Sequence, residues 1–163
     1  MKQKNLLLTL LLLLTAVLIT VILRLDTQSG DYTVLHVADG DSFTLTKERE
    51  EVEIRLFGID CPERKQPFYR KAERFTRTVL REGEIRFTAV DRDRYGRVIA
   101  WVYVDSLCLN EELLRNGLAW HYKRYSDDAN LARLEDSART AKTGLWIDPN
   151  PVPPWEFRRQ HRN

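Results

Sequence analysis

The stretch from Glu53 to Glu63, E-I-R-L-F-G-I-D-C-P-E, constrains the fold more than any other part of the chain. Ile54 and Leu56 alternate with Glu53 and Arg55, the period of a strand with one face turned to a core. Ile59 carries the apolar character on to Cys61-Pro62, where the strand must end, because proline has no N–H for a ladder. Asp60 and Glu63 therefore flank a rigid bend just past a strand end. Such a position suits oxygen ligands for a hard cation, with Arg55 on the strand before it.

The chain on either side supplies the rest of a small barrel. Tyr32 to Ala38 alternates, with Tyr32, Val34 and His36 on one face. Asp39-Gly40-Asp41 signals a turn and Ser42 to Lys47 a second strand; the polar run Glu48 to Glu51 then leads into Val52 to Phe57. Phe68, Ala72, Phe75 and Val79 recur at helical spacing, with Gly83 as a stop. Glu84 to Val90 and Val98 to Val104 are two further strands, joined by the charged D-R-D-R-Y-G-R turn. Three strands, a helix and two strands fit a five-stranded Greek-key barrel of the OB type. A short helix follows from Glu111 to Asn116, capped by Asn110 and ended by Gly117. Another starts at Ser126 or Asp127 and turns Leu131, Leu134, Ala138 and Ala141 to one face. The expected class is α+β: an OB-fold barrel with three helices, preceded by an N-terminal hydrophobic helix. The tail P-N-P-V-P-P-W-E-F-R-R is expected to be irregular, given that much proline.

The hydrophobic helix is the apolar run at residues 6–25, preceded by Lys2 and Lys4. It has the ~20 residues that a helix needs to cross a bilayer. The lysines favour a cytoplasmic N-terminus, so the rest of the chain would face outward. No A-x-A-like triplet follows, and the run exceeds a signal-peptide core of about 7–15 residues. A retained anchor is therefore preferred, with secretion after cleavage near Thr27-Gln28-Ser29 as the alternative. The expected organisation is an anchor or signal at residues 1–25, a linker at 26–31, the barrel domain at 32–146 and a proline-rich basic tail at 147–163. Without Lys2, Lys4 and Arg24, the 26 basic and 24 acidic residues become 23 against 24. Bulk charge thus gives no pull on a polyanion, and affinity for one must come from local clusters. Cys61 and Cys108 match no zinc spacing; they either pair or stay as packed thiols.

Several residues carry apt chemistry. Asp41 and Asp60 fall at turn or strand edges, where paired carboxylates suit calcium or magnesium. Taken alone, Asp39-Gly40-Asp41 is more simply a hairpin turn. Arg55 and Arg97 lie in alternating segments, and the planar guanidinium fork suits a phosphodiester. An ion pair with Glu53 or Glu84 is the plainer alternative. Glu63 can orient or deprotonate a water, or only begin a helix. Trp120, Tyr122, Lys123 and Tyr125 mix aromatic faces with charge, as base-stacking surfaces do, although some must serve the core.

Four motifs in order complete the reading: D-G-D-S (Asp39 to Ser42), I-R-L-F-G-I-D-C-P-E (Ile54 to Glu63), D-R-Y-G-R (Asp93 to Arg97) and N-E-E-L-L-R-N-G-L-A (Asn110 to Ala119). Together they resemble the staphylococcal nuclease (thermonuclease) family, from about Tyr32 to Gly144. The resemblance implies a calcium-dependent enzyme that cuts DNA or RNA phosphodiesters and leaves 3′-phosphate ends. It implies Asp41 and Asp60 as calcium carboxylates, with Cys61 adding a main-chain carbonyl where threonine is common. Arg55 and Arg97 fall on the phosphate-binding arginines and Glu63 on the water-activating glutamate. Tyr125 lies near a nucleotide-contacting tyrosine, and Lys123 replaces a second one. Tyr122, Lys123 and Tyr125 are thus the expected substrate contacts. The R-K-Q-P loop after Glu63 is shorter than in the best-known member. The expected whole is a membrane-held, extracytoplasmic monomer. The alternative is a tethered OB-fold module that binds nucleic acid without cutting it.

Overall fold

In the computed structural model, which describes residues 27–161, five strands close into a barrel. Strands β1 (Thr27–Val37), β2 (Ser42–Lys47) and β3 (Glu50–Leu56) form an antiparallel meander. The two-residue β4 (Ile59–Asp60) and helix α1 (Tyr69–Val79) lead to β5 (Ile85–Arg92), which pairs with the other edge of β1. Strand β6 (Val98–Val104) runs antiparallel to β5 and parallel to β3, closing the sheet. Closure leaves these strands no long free edge. Leu45, Ile54, Leu56, Ile85 and Val102 alternate inward and fill the interior. The register of β1 against β2 shifts between Val34 and His36. Val37 therefore takes the buried place and His36 is exposed, because a bulge moves the following side chains to the other face.

The remaining elements wrap one end of the barrel. They are β7 (Leu107–Cys108), α2 (Leu109–Arg115), β8 (Trp120–His121) and α3 (Ala129–Thr140). Helix α2 starts earlier than expected, and Asn110 does not cap it. The Asn110 side chain is buried, donating to the carbonyls of Phe57 and Ala100 and accepting the N–H of Val102. The helix stops at Gly117, whose φ of +59° and contact with the Thr143 carbonyl leave no room for a Cβ. Helix α3 is capped by Asp128, which accepts the N–H groups of Asn130 and Leu131.

The tail departs from expectation. Pro154–Gln160 forms a helix, α4, with Pro154 in the first turn, where a missing N–H costs nothing. Proline excludes helix interiors, not helix starts. Trp120, Ala138, Leu145 and Trp146 make a second small core, against which Phe68 and Trp155 pack. Trp120 and Trp146 meet edge-on at 4.3 Å, and Trp120 and Trp155 at 5.8 Å. Both cysteines are free, Cys61 buried and Cys108 partly so. Among the described residues no helix is long and apolar enough to cross a membrane, and the proposed anchor at 6–25 lies outside them.

Candidate active site

Strand register gathers the site at one rim of the barrel. Ser42 is paired with Arg55 across β2 and β3, so Asp41, just before the ladder begins, falls beside the Arg55 guanidinium. The Asp41 carbonyl also accepts the N–H of Leu56 at 2.9 Å. Asp60 is held opposite Trp120 by the β4–β8 pair. Arg97 precedes β6, whose parallel pairing with β3 sets Ile99 beside Arg55. Gly40 lets this rim close: a Cβ there would stand 2.7 Å from the Cys61 sulfur and from the Ala72 methyl. Thr76 of α1 donates to the Gly40 carbonyl at 2.6 Å. The Asp39-Gly40-Asp41 segment is thus a packed corner, not a free hairpin turn.

Asp41 and Asp60 are each only 1% exposed, and one guanidinium bridges them. Arg55 pairs with Asp41 through Nη1 and with Asp60 Oδ1 through Nη2, the latter at 2.7 Å. Ser42 Oγ donates to Asp41 Oδ1, and the Cys61 backbone N–H donates to Asp41 Oδ2 at 2.5 Å. The Cys61 thiol sits apart from this chemistry: burial, then the negative charge of Asp39, push it well above its ordinary pKa. Glu63 lies six residues before α1 begins at Tyr69, so it does not serve as the start of that helix. Its N–H donates instead to the Gln66 side chain at 2.8 Å.

Arg97 is engaged close by. Its Nε and Nη2 both reach Asp93 Oδ2 at 2.8 Å, while Nη1 reaches Ser42 Oγ at 3.4 Å. Partial burial pushes the Asp93 carboxyl up, but hydrogen bonds from Arg97 and Tyr95 outweigh it and hold the pKa below the usual range. The ion-pair partners of Arg55 and Arg97 are therefore aspartates of the rim, not Glu53 or Glu84. Of the aromatic-basic stretch, Trp120 and His121 are buried, whereas Lys123 and Tyr125 are exposed. Tyr122 meets Tyr125 edge-on at 4.9 Å, and Lys123 turns toward Glu135 at 3.6 Å.

Two participants escaped the sequence reading. Asp39 accepts the Asp41 N–H at 3.1 Å, and burial raises its carboxyl pKa although Arg55 opposes the shift. The D-G-D motif contained that signal. Arg158 of α4 has its guanidinium on both Asp60 and Glu63, and nothing local in the sequence announces it. Asp39, Asp41, Asp60 and Glu63 then face Arg55 and Arg158, since Arg97 is matched by Asp93. The excess of carboxylate oxygen fits a hard divalent cation and no soft one. Among the described residues no three such side chains close on a single point, so main-chain oxygen or water would complete a shell.

Comparison with known proteins identifies the family. The family described as "Staphylococcal nuclease homologue" matches residues 53–148. An "Uncharacterized endonuclease" of Escherichia coli is 39% identical over 78% of this chain and 84% of its own length. Another protein of that description, from Haemophilus influenzae, is 34% identical over 93% of this chain and 86% of its own. The "Probable staphylococcal-like nuclease CAN1" of Oryza sativa subsp. japonica is 35% identical over 85% of this chain but 44% of its own length. A barrel of the expected class, a rim of carboxylates and arginines, and a match over more than half its length place one conclusion on the chain: it belongs to the staphylococcal nuclease homologue family and is a nuclease, a hydrolase of nucleic acids.

Proposed function

We propose that the protein is a calcium-dependent nuclease that cuts DNA or RNA and leaves 3′-phosphate ends. We further propose that it acts as a monomer held by residues 6–25 at the outer face of a membrane. The observation that carries the catalytic reading is the convergence of Asp41, Arg55, Asp60 and Glu63 at one rim, with both aspartates buried. Asp41, Asp60 and the Cys61 main-chain oxygen would hold the cation. When bound, calcium supplies positive charge to a phosphodiester oxygen. Arg55 and Arg97 bind the phosphoryl oxygens and stabilise the charge that grows there in the transition state. Glu63 orients a water in line with the leaving 5′ oxygen and accepts its proton as the new P–O bond forms and the P–O5′ bond breaks, the 5′ oxygen taking a proton from solvent to leave as a hydroxyl. Tyr125, the exposed ring, offers a face to a neighbouring base, Tyr122 supports it from between Tyr125 and Trp155, and Lys123 adds charge rather than a stacking surface.

The test incubates the protein with single-stranded DNA, duplex DNA and RNA, in calcium or in chelator, and identifies the product ends. Glu63→Gln should lower the rate about 1,000-fold, within the usual range for a general base. Cutting that persists in chelator would remove calcium from the reading, and 5′-phosphate ends would reverse the direction of attack. Retention in the membrane fraction after a high-salt wash tests the anchor.

A further inference from the structure

Arg158 reaches the site from outside the region matched by the family, which ends at residue 148. Its Nη2 donates to Asp60 Oδ2 at 2.8 Å, and its Nη1 to Glu63 Oε1 at 2.5 Å and Asp60 Oδ1 at 3.2 Å. The contact is built rather than incidental. Pro154 is buried at the start of α4, and Trp155 stacks on Tyr122 with centroids 5.1 Å apart and rings 3° from parallel. Gln66 fastens the tail a second time, donating to the Val152 carbonyl at 2.9 Å while its other end accepts the Glu63 N–H. One side chain thus ties the tail to Glu63.

The arrangement engages both oxygens of Asp60. Its Oδ1 takes both Arg55 and Arg158, and its Oδ2 takes Arg158. A divalent cation on Asp60 adds its charge to those of Arg55 and Arg158 and favours release of one of them; Arg158, the more exposed side chain at 38% against 18%, is the one placed to yield. The helix fixes the Arg158 backbone, so only the side chain can swing. Its released N–H groups then need an acceptor, and the oxygens of a phosphodiester lying between Arg55 and Glu63 are the anion within reach.

We propose that Arg158 is a third phosphate-binding guanidinium of the active site, holding Asp60 and Glu63 in the free protein and passing to the substrate phosphodiester when a divalent cation takes Asp60. The proposal rests on the nuclease reading above. Arg158 acts from a helix that the barrel docks, so the tail becomes part of the catalytic site rather than an appendage to it.

Two measurements on the full chain test it. Calcium is titrated calorimetrically in the absence of nucleic acid, and cleavage of a single-stranded oligonucleotide is followed at saturating calcium. Arg158→Ala should bind calcium at least about tenfold tighter, having lost its competitor, yet show kcat/KM about 100-fold lower, the usual cost of one transition-state donor. Arg158→Lys keeps the charge and holds the buried Asp60 in balance. It should bind calcium much as the wild type does and lose about tenfold in kcat/KM, because a point charge lacks the fork. Melting curves show whether each variant is folded, and Arg158→Lys carries the test if Arg158→Ala is not. Cleavage by Arg158→Ala as fast as the wild type, or faster, would make Arg158 a mere plug over the carboxylates and overturn the proposal. Unchanged calcium affinity in Arg158→Ala would overturn it too, since the two cations would then not share Asp60. A wild type that cuts nothing with any divalent cation brings down the nuclease reading and this proposal with it. An active wild type beside unaffected variants brings down this proposal alone.

Discussion

The rim from Asp39 to Glu63 and the tail from Asp148 to Gln160 both deliver charge to the same site, by different physics. On the rim, backbone pairing sets position: once Ser42 faces Arg55, the neighbouring Asp41 and the following β4 have little freedom. In the tail, side-chain packing sets it, through Trp155 on Tyr122 and Gln66 on Val152. A seven-residue helix such as α4 is marginal alone, so it depends on the small core around Trp120 and Trp146. The comparison teaches that the chemistry of this site is local to a barrel edge, whereas part of its electrostatic balance is imported from the end of the chain.

The largest effects should come from the rim, Glu63→Gln first and Arg97→Lys after it. Arg97→Lys keeps the charge and loses the fork, so kcat should fall about 100-fold with little change in melting temperature. A rate like the wild type's would remove Arg97 from the mechanism and shift weight toward the tail. Asn110→Leu is of similar size, since 100-fold in rate corresponds to about 2.7 kcal/mol. The Phe57 carbonyl and the buried N–H of Val102 would lose their side-chain partner, while the Ala100 carbonyl would keep only the Phe57 N–H. Stability in urea should drop by about 3 kcal/mol, because unsatisfied buried groups carry their full desolvation penalty. A loss below about 1 kcal/mol would mean that the β3–β4 corner is held by pairing alone. Smaller again is Trp155→Ala, which should loosen the tail by about 1–2 kcal/mol, the scale of an aromatic contact together with its partial burial. Limited proteolysis should then cut near Asn150 while the barrel melts as before. A barrel that melts as early as Asn110→Leu would make the tail a part of the core and dissolve the distinction.

That contrast also explains what could be read in the chain. The strands were legible because Leu45, Ile54, Leu56, Val98 and Val102 alternate at their own period, and a barrel needs little more than that order. Asp41, Arg55, Asp60 and Glu63 meet because one short meander brings them together, but their local pattern read more simply as a turn and ion pairs, and only the family resemblance singled them out. Asn110 was misread since a helix-capping residue type also suits bridging a sheet to a turn, and only tertiary packing chooses between them. The tail was misread because a count of prolines ignores where they stand, and Pro154 stands at a helix start. Arg158 meets partners 95 and 98 residues away, a separation that no local pattern encodes.

The smallest effect lies where the two regions meet. His121 on β8 stands next to Trp120, which pairs with Asp60 on one side and touches Trp155 on the other. It is 3% exposed, and neither ring nitrogen has a hydrogen-bond partner among the described residues. Burial lowers its pKa, with Glu135 opposing and Lys123 adding to the shift. The unfolded chain takes up this proton near the ordinary histidine value of about 6.5, whereas the folded protein resists it. Below that pH the unfolded state binds more protons, so stability should fall as pH drops through about 6.5 and level off once the folded histidine also titrates. The loss should amount to no more than about 1.4 kcal/mol per pH unit, the most that one proton can supply. Melting temperatures between pH 8 and pH 5 measure it, and His121→Gln should flatten that part of the curve. If the variant keeps the full slope, the acid sensitivity belongs to other groups. If it loses the slope and the melt of the tail moves with it, His121 joins the two regions into one cooperative unit.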